Sequence, residues 1–287
     1  VFVNMEVMDQ PSTPEVATTY SAHANSGPLA MLRDLRDGFA MGPVWRAFAW
    51  DEIQQRYRRS VLGVAWIGIS YLIFVAAISL FFSGFATLSA RHFIFYVALG
   101  FAGFTFLIGN VTDGCQVFRA AGTWIKSTPL PYSVYVYKSI ARSVFPFLIQ
   151  LAVGFSVMAV LGWRPTWGAL YALPALAVYL VNAVWVQFFF GLFATRWRDF
   201  SHLVAAITRV LFFATPILWV YAEQTGLRKT VAGFNPLTHF LEIFRAPLLG
   251  DPMLPQSWPA VLGVTMAGWT ATILVASVMR RRLPFWV

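Results

Sequence analysis

VLGVAWIGISYLIFVAAISLFF, residues 61–82, contains no Asp, Glu, Lys, Arg or His over 22 positions. A helix rises 1.5 Å per residue, so about 20 mostly apolar residues cross the roughly 30 Å of hydrocarbon in a bilayer. This run has that length. Its apolar residues come as a continuous run rather than as one amphipathic stripe, the pattern of a helix with no watery side. The stretch predicts a membrane-spanning helix.

Five further runs meet or approach the same length: residues 93–112, 140–161, 169–195, 203–222 and 259–279. The whole chain agrees, with 11% charged and 58% hydrophobic residues among 287, against about 25% charged in soluble domains. The net charge of +9 is a topology signal. Of the 21 Lys and Arg, 16 fall in the segments on one side of the runs and five (Arg91, Arg164, Arg228, Lys229 and Arg245) on the other. The positive-inside rule then puts both termini in the cytoplasm. Cys115 is the one cysteine, so neither an intrachain disulfide nor a cysteine metal cluster is expected.

The expected architecture is an all-α integral membrane protein with six transmembrane helices, an N-terminal interfacial helix and a re-entrant outer helical segment between spans five and six. Residues 1–42 are polar and rich in Pro, Ser and Thr, and read as a disordered cytoplasmic tail with no signal peptide. Residues 43–60 read as an amphipathic surface helix, with Ala49, Trp50, Ile53 and Tyr57 on one side. Residues 61–287 form the transmembrane domain. Span five is irregular: Arg209 lies ~9 Å along it and Pro216 interrupts it. After it, Asn235-Pro236 has the form of a helix cap followed by a first-turn proline. Leu237, Phe240, Leu241, Phe244 and Leu248 then recur at helical spacing. Irregular backbone at membrane depth survives only where protein or water shelters it, so such a segment borders a pathway.

What is missing narrows the chemistry. The 12 acidic residues lie outside the apolar runs or at their edges, and no histidine is mid-span. Transporters driven by protons or sodium use such groups inside the membrane. The nearest approach to a phosphate-binding loop, residues 122–128, has Ile125 where glycine is required ahead of Lys126-Ser127. A membrane glycosyltransferase would need a loop carboxylate pair, and Asp51-Glu52 is the one close pair near the spans. A pathway without an engine remains.

Several motifs resemble, in order and position, the type-2 ABC transporter permeases that export polysaccharides. Arg56-Tyr57-Arg58-Arg59-Ser60-Val61-Leu62-Gly63 with Ala65-Trp66 is similar to that family's entrance to the first span. Arg198-Asp199, Thr215-Pro216-Ile217, Asn235-Pro236-Leu237, His239 and Phe244-Arg245-Ala246-Pro247-Leu248-Leu249-Gly250 follow its later segments. Arg280-Arg281-Arg282 with Pro284-Phe285-Trp286 resembles its ending. The resemblance covers residues 44–287. It implies a homodimeric permease in the bacterial inner membrane, bound to two copies of a separate ABC ATPase. That ATPase would hold ATP and Mg, with no cofactor in this chain. The implied substrate is an undecaprenyl-linked O-antigen, a capsular polymer or a teichoic acid. A permease for a small drug or lipid is the alternative within the family, and a passive channel one outside it.

Four groups of residues are candidates for function. Arg56, Arg58 and Arg59 would hold the substrate's pyrophosphate head group, since guanidinium forks match phosphate oxygens; plain anchoring on anionic lipid is the bland alternative. Tyr71, Phe74, Phe81, Phe82 and Phe85 on span one, with Phe212, Phe213, Trp219 and Tyr221 on span five, would line a channel, or else pack on lipid and neighbouring helices. His239, Glu242 and Arg245 share one side of the outer helix, as an outer gate or as a mutually paired solvated face. Gln116, Arg119, Trp124 and Lys126, in a stretch able to form about three turns, match the position of the family's ATPase-coupling helix.

Overall fold

The computed structural model describes residues 27–287 apart from Arg59 and Ala86, and it describes the backbone but not the side chain of Phe85. The tail through residue 26, Arg59 and the Phe85 ring therefore lie outside the described residues. Among the described residues twelve α-helices run in chain order: α1 (Pro28–Ala40), α2 (Gly42–Tyr57), α3 (Ala65–Phe82), α4 (Ala90–Ala120), α5 (Gly122–Ser127), α6 (Tyr132–Val160), α7 (Ala172–Arg196), α8 (Phe200–Ala214), α9 (Gly226–Phe234), α10 (Pro236–Leu249), α11 (Ser257–Met279) and α12 (Leu283–Trp286). There is no strand among the described residues.

Five of these are long and apolar enough to cross a membrane: α3, α4, α6, α7 with the short turn before it, and α11 with the turns after it. The chain is a multi-pass membrane protein. α8 is apolar but has 15 residues, ~22 Å of rise, which is short of the hydrocarbon thickness. The apolar run at 203–222 is thus not one continuous helix. Pro216 has no N–H to donate to the preceding turn, and the chain goes extended at Thr215 (ψ 137°).

α4 is the central helix, packed against α3, α6, α7, α8 and α10. Small residues on α4 let its neighbours come close. A methyl group at Gly103 would sit 2.8 Å from Leu241 of α10, and one at Gly114 2.8 Å from the Gln187 backbone of α7. Without a hydrophobic driving force between helices in lipid, close packing and interhelical hydrogen bonds do the holding. Asn110 of α4 accepts a bond from Gln187 of α7 at 2.7 Å, and Asn182 of α7 donates to Thr265 of α11 at 2.9 Å.

The N-terminal part differs from expectation. Residues 28–40, read as disordered tail, form α1, and Asp34 on it is 3% exposed. The Asp34 carboxylate accepts from the first backbone N–H groups of α6, Tyr132 at 3.0 Å and Ser133 at 2.9 Å. Anions are favoured at a helix N-terminus, where those donors are otherwise unpaired. Arg280, beyond the end of α11, donates to the same carboxylate at 2.7 Å and to the Ala30 carbonyl at 2.8 Å. Arg280 is therefore more than a topology charge. α2 likewise packs against α6: Ala49 and Ile53 are buried and Glu52 pairs with Lys138 and Arg142. Trp50, assigned to the same stripe, stays exposed and meets the edge of Phe145.

Candidate functional site

At the arginine-rich end, Arg56 is exposed in the last turn of α2, and Arg58 caps it. The chain then turns into α3 through Gly63, whose φ of 49° lies in the left-handed region that glycine adopts without steric cost. Ser60 Oγ accepts from the Gly63 N–H at 3.1 Å and holds that turn. Arg56 borders a small cleft of about 130 Å³ with Asp113, Arg142, Ser143 and Gln150. Arg142 bridges Glu52 at 3.2 Å and Asp113 at 3.3 Å, and Ser143 donates to Asp113 at 2.9 Å. These partners escaped the sequence reading because Arg142 and Ser143 open an apolar run whose charges read as edge anchors.

The expected three-turn stretch over 116–126 is divided. Gln116 and Arg119, bonded to each other at 2.9 Å, belong to the last turns of α4. A bend at Ala121 (φ −97°, ψ 9°) leads into the six-residue α5, which presents Trp124, 53% exposed, and Lys126. Ile125 is the buried residue that seats α5, and Gly122 leaves room for Val287.

The aromatic residues divide into two sets. Tyr71 is 2% exposed, donates to the Ala98 carbonyl at 2.9 Å and packs over Gly154, so its ring belongs to the helix core. Phe74 stacks on Phe101 at 3.8 Å and meets the edge of Phe212 at 6.0 Å. Tyr221 is also buried. Phe82, Phe213 and Trp219, by contrast, line one cavity of about 470 Å³ at the far end, together with Glu223, Gln224 and Arg228. Phe81 is exposed beside Phe82 on α3. Trp219 Nε1 donates to the Phe213 carbonyl at 3.2 Å, and the Arg228 guanidinium lies 4.4 Å from the Trp219 ring centre. Glu223 Oε1 accepts from Thr87 N–H at 2.9 Å and from the Thr87 hydroxyl. Mostly apolar walls with a few convergent polar groups are the usual make-up of a ligand pocket.

His239, Glu242 and Arg245 are not a solvated face: all three are buried. Arg245 is 2% exposed, donates to the Pro216 carbonyl at 2.9 Å and to Glu242 at 3.3 Å, and lies 3.4 Å from the Tyr96 ring centre. Gly100 of α4 makes the space for it, with an added methyl 3.2 Å from Arg245 Nη1. His239 reaches Ser257 at 3.1 Å and the Gly233 carbonyl at 2.8 Å. Asn235 caps α10 through Leu237 N–H at 3.0 Å and donates to Thr215 Oγ1 at 2.8 Å. Arg245 of α10 thus meets a carbonyl of the unwound backbone after α8, and the Asn235 cap meets the Thr215 side chain there. The sequence placed the three residues on one side of a helix; it carried no sign that Tyr96, Gly100 and Pro216 would close over them.

With this geometry, a match to the family model described as ABC-2 type transporter covers residues 43–249. The chain belongs to the ABC-2 type transporter family. Relatives include the O-antigen export system permease protein RfbA of Klebsiella pneumoniae, 21% identical over 231 residues, covering 80% of this chain and 88% of that protein. The protein of the same description from Myxococcus xanthus is 19% identical over 253 residues, covering 86% and 96%. Membership makes the ABC-2 chain a transport subunit rather than an enzyme, and implies an ABC ATPase as its partner. The matched region runs from the start of α2 to the end of α10. It includes the arginine cluster, the bend before α5 and the far-end cavity, but not α1 or Arg280.

Proposed function

We propose that this ABC-2 permease exports a lipid-linked polysaccharide, of the O-antigen kind, across the bacterial inner membrane. The observation that carries this reading is the far-end cavity, where Phe82 of α3 meets Phe213 and Trp219, residues more than a hundred positions away, around Glu223, Gln224 and Arg228. Aromatic faces offer broad contact to the C–H faces of sugars, and carboxylate and amide groups meet their hydroxyls. The O-antigen export relatives point the same way.

In this reading the arginine-rich end is cytoplasmic, with both termini there, as the charge asymmetry favours. Five long helices and a sixth crossing, made of α8 with α10 returning beside it as a re-entrant segment, span the membrane. Arg56 and Arg58, with Arg59, collect the pyrophosphate head group from the inner leaflet. Two permease copies enclose the channel. Two ATPase copies, each with ATP and Mg, dock on α5 and the adjoining end of α4 through Gln116, Arg119, Trp124 and Lys126.

The test is export in cells carrying the permease and its ATPase. Cell-surface polymer should be present with both, absent without either, and sharply reduced by Trp219→Ala at equal permease abundance. The two proteins should co-purify in equal numbers. Normal polymer in a strain lacking the permease, with a small lipid or drug retained instead, would overturn the polysaccharide reading.

A further inference from the structure

The far-end cavity holds an occupant of its own. Arg228 projects from α9, which is exposed along nearly its whole length; Leu227, Val231 and Phe234 are all open to the surroundings, and Ala232 is its buried residue. Two cation–aromatic contacts hold α9 to the segment before it: Arg228 over Trp219 at 4.4 Å, and Lys229 over Tyr221 at 5.9 Å. The Trp219 ring itself is fixed by its own bond to the Phe213 carbonyl.

A guanidinium is drawn to an indole by the negative face of the ring quadrupole. The C–H face of a pyranose carries partial positive charge and is drawn to that same face. The two are therefore mutually exclusive on one side of one ring. Around it, Glu223 receives both bonds from Thr87 on Oε1, and among the described residues no donor reaches Oε2. That oxygen and the Gln224 amide, whose Nε2 donates to the Val220 carbonyl at 3.3 Å and whose oxygen stays an acceptor, are suited to sugar hydroxyls.

We infer that the outer cavity is a saccharide-binding site in which Arg228 occupies the face of Trp219 until a sugar ring displaces it. This rests on the polysaccharide reading and extends it. Arg228 and α9 keep the site closed when it is empty. A site of this kind accepts any pyranose with an open C–H face and selects weakly among sugars.

The test uses the full permease in nanodiscs and maltohexaose as the probe, with contact followed by saturation-transfer NMR and titrated for an apparent Kd. Removing the competitor with Arg228→Ala should tighten binding by about two- to five-fold, the factor one exposed cation–π contact commands. Arg228→Gln, which keeps a long polar side chain on the exposed helix, should do the same and guards against loss of α9 itself. Adding Trp219→Ala to either should reduce the signal to that of empty nanodiscs. Equal affinity of wild type and both Arg228 variants would overturn the proposal. So would contact that survives loss of Trp219, or no contact above empty nanodiscs in any variant. Polymer export by the same variants is read separately in cells. Unchanged maltohexaose binding alongside export lost with Trp219→Ala would sink the displacement and leave the export reading standing.

Discussion

Arg245 is the side chain on which the irregular part of the fold depends. A buried guanidinium is tolerable only when charge and donors are met, and here Glu242, the Pro216 carbonyl and the Tyr96 ring meet them. Arg245→Ala leaves Glu242 buried without its partner and should cost about 3–5 kcal/mol. Arg245→Lys keeps the charge but loses the planar stacking on Tyr96, so its loss should be smaller. Thermal unfolding in detergent should rank the variants wild type, Lys, Ala; an Ala variant as stable as wild type would show that the contact is not holding α10. The i, i+3, i+6 spacing of His239, Glu242 and Arg245 was legible as one helical face. What lay opposite was not, because Tyr96 and Gly100 belong to a helix about 140 residues upstream, as the numbering shows. At the other end, Arg56 and Arg58 raise a question of chemistry rather than stability. Anchoring responds to charge alone, whereas bidentate recognition of phosphate needs the guanidinium fork. Lysine at positions 56, 58 and 59 together should cut surface polymer while leaving permease abundance and ATPase assembly intact. Full export by that triple variant would make these arginines topology determinants only.

Among the elements, α5 has little to do for the fold, with one buried residue, and is exposed enough to serve a partner. It is six residues long, is seated by Ile125, and presents Trp124 and Lys126 outward. Charge reversal at Lys126, or a proline inserted in 122–127, should uncouple ATP hydrolysis from export with little change in the stability of the spans. The measurement is ATPase activity against surface polymer in the same preparation. If such variants export normally, the contact lies elsewhere, with residues 196–201 the next place to look. The long apolar helices were readable because their signal is local: length and composition alone mark a span. The end of α8 was readable too, through Pro216. α1 was not. Residues 28–40 alternate Arg33, Asp34, Arg36 and Asp37 with apolar positions, and as a solitary segment they cannot bury enough to order themselves. The helix is built by tertiary contacts with α6 and Arg280, which no window of sequence contains.

At the scale of the whole molecule, Asp34 joins three distant parts of the chain: α1, the first turn of α6 and the end of α11. The α6 terminus follows directly on the segment that carries α5, so the clasp sits where a push from a docked ATPase would enter the spans. Its energetics can be separated. Asp34→Asn keeps an acceptor for one of the Tyr132 and Ser133 N–H groups, which bond different carboxylate oxygens, and leaves Arg280, 7% exposed, without a carboxylate. Breaking a buried pair from one side costs about 3–5 kcal/mol, whereas replacing both partners with apolar groups of similar volume is often far milder. The expected order of thermal stability is therefore wild type highest, Asp34→Asn and Arg280→Met each well below it, and Asp34→Leu with Arg280→Met above what the sum of single losses predicts. A cycle built on Asp34→Leu, Arg280→Met and their combination should show a coupling of about 0.5–3 kcal/mol. Residual loss in the double variant measures the cap on α6, because leucine offers Tyr132 and Ser133 no acceptor. Strict additivity would mean that Asp34 serves α6 alone and that Arg280 is a surface charge in solution. Coupling at the expected size, with export reduced in the single variants in step with their stability, would make α1 part of the transport domain rather than an appendage to it.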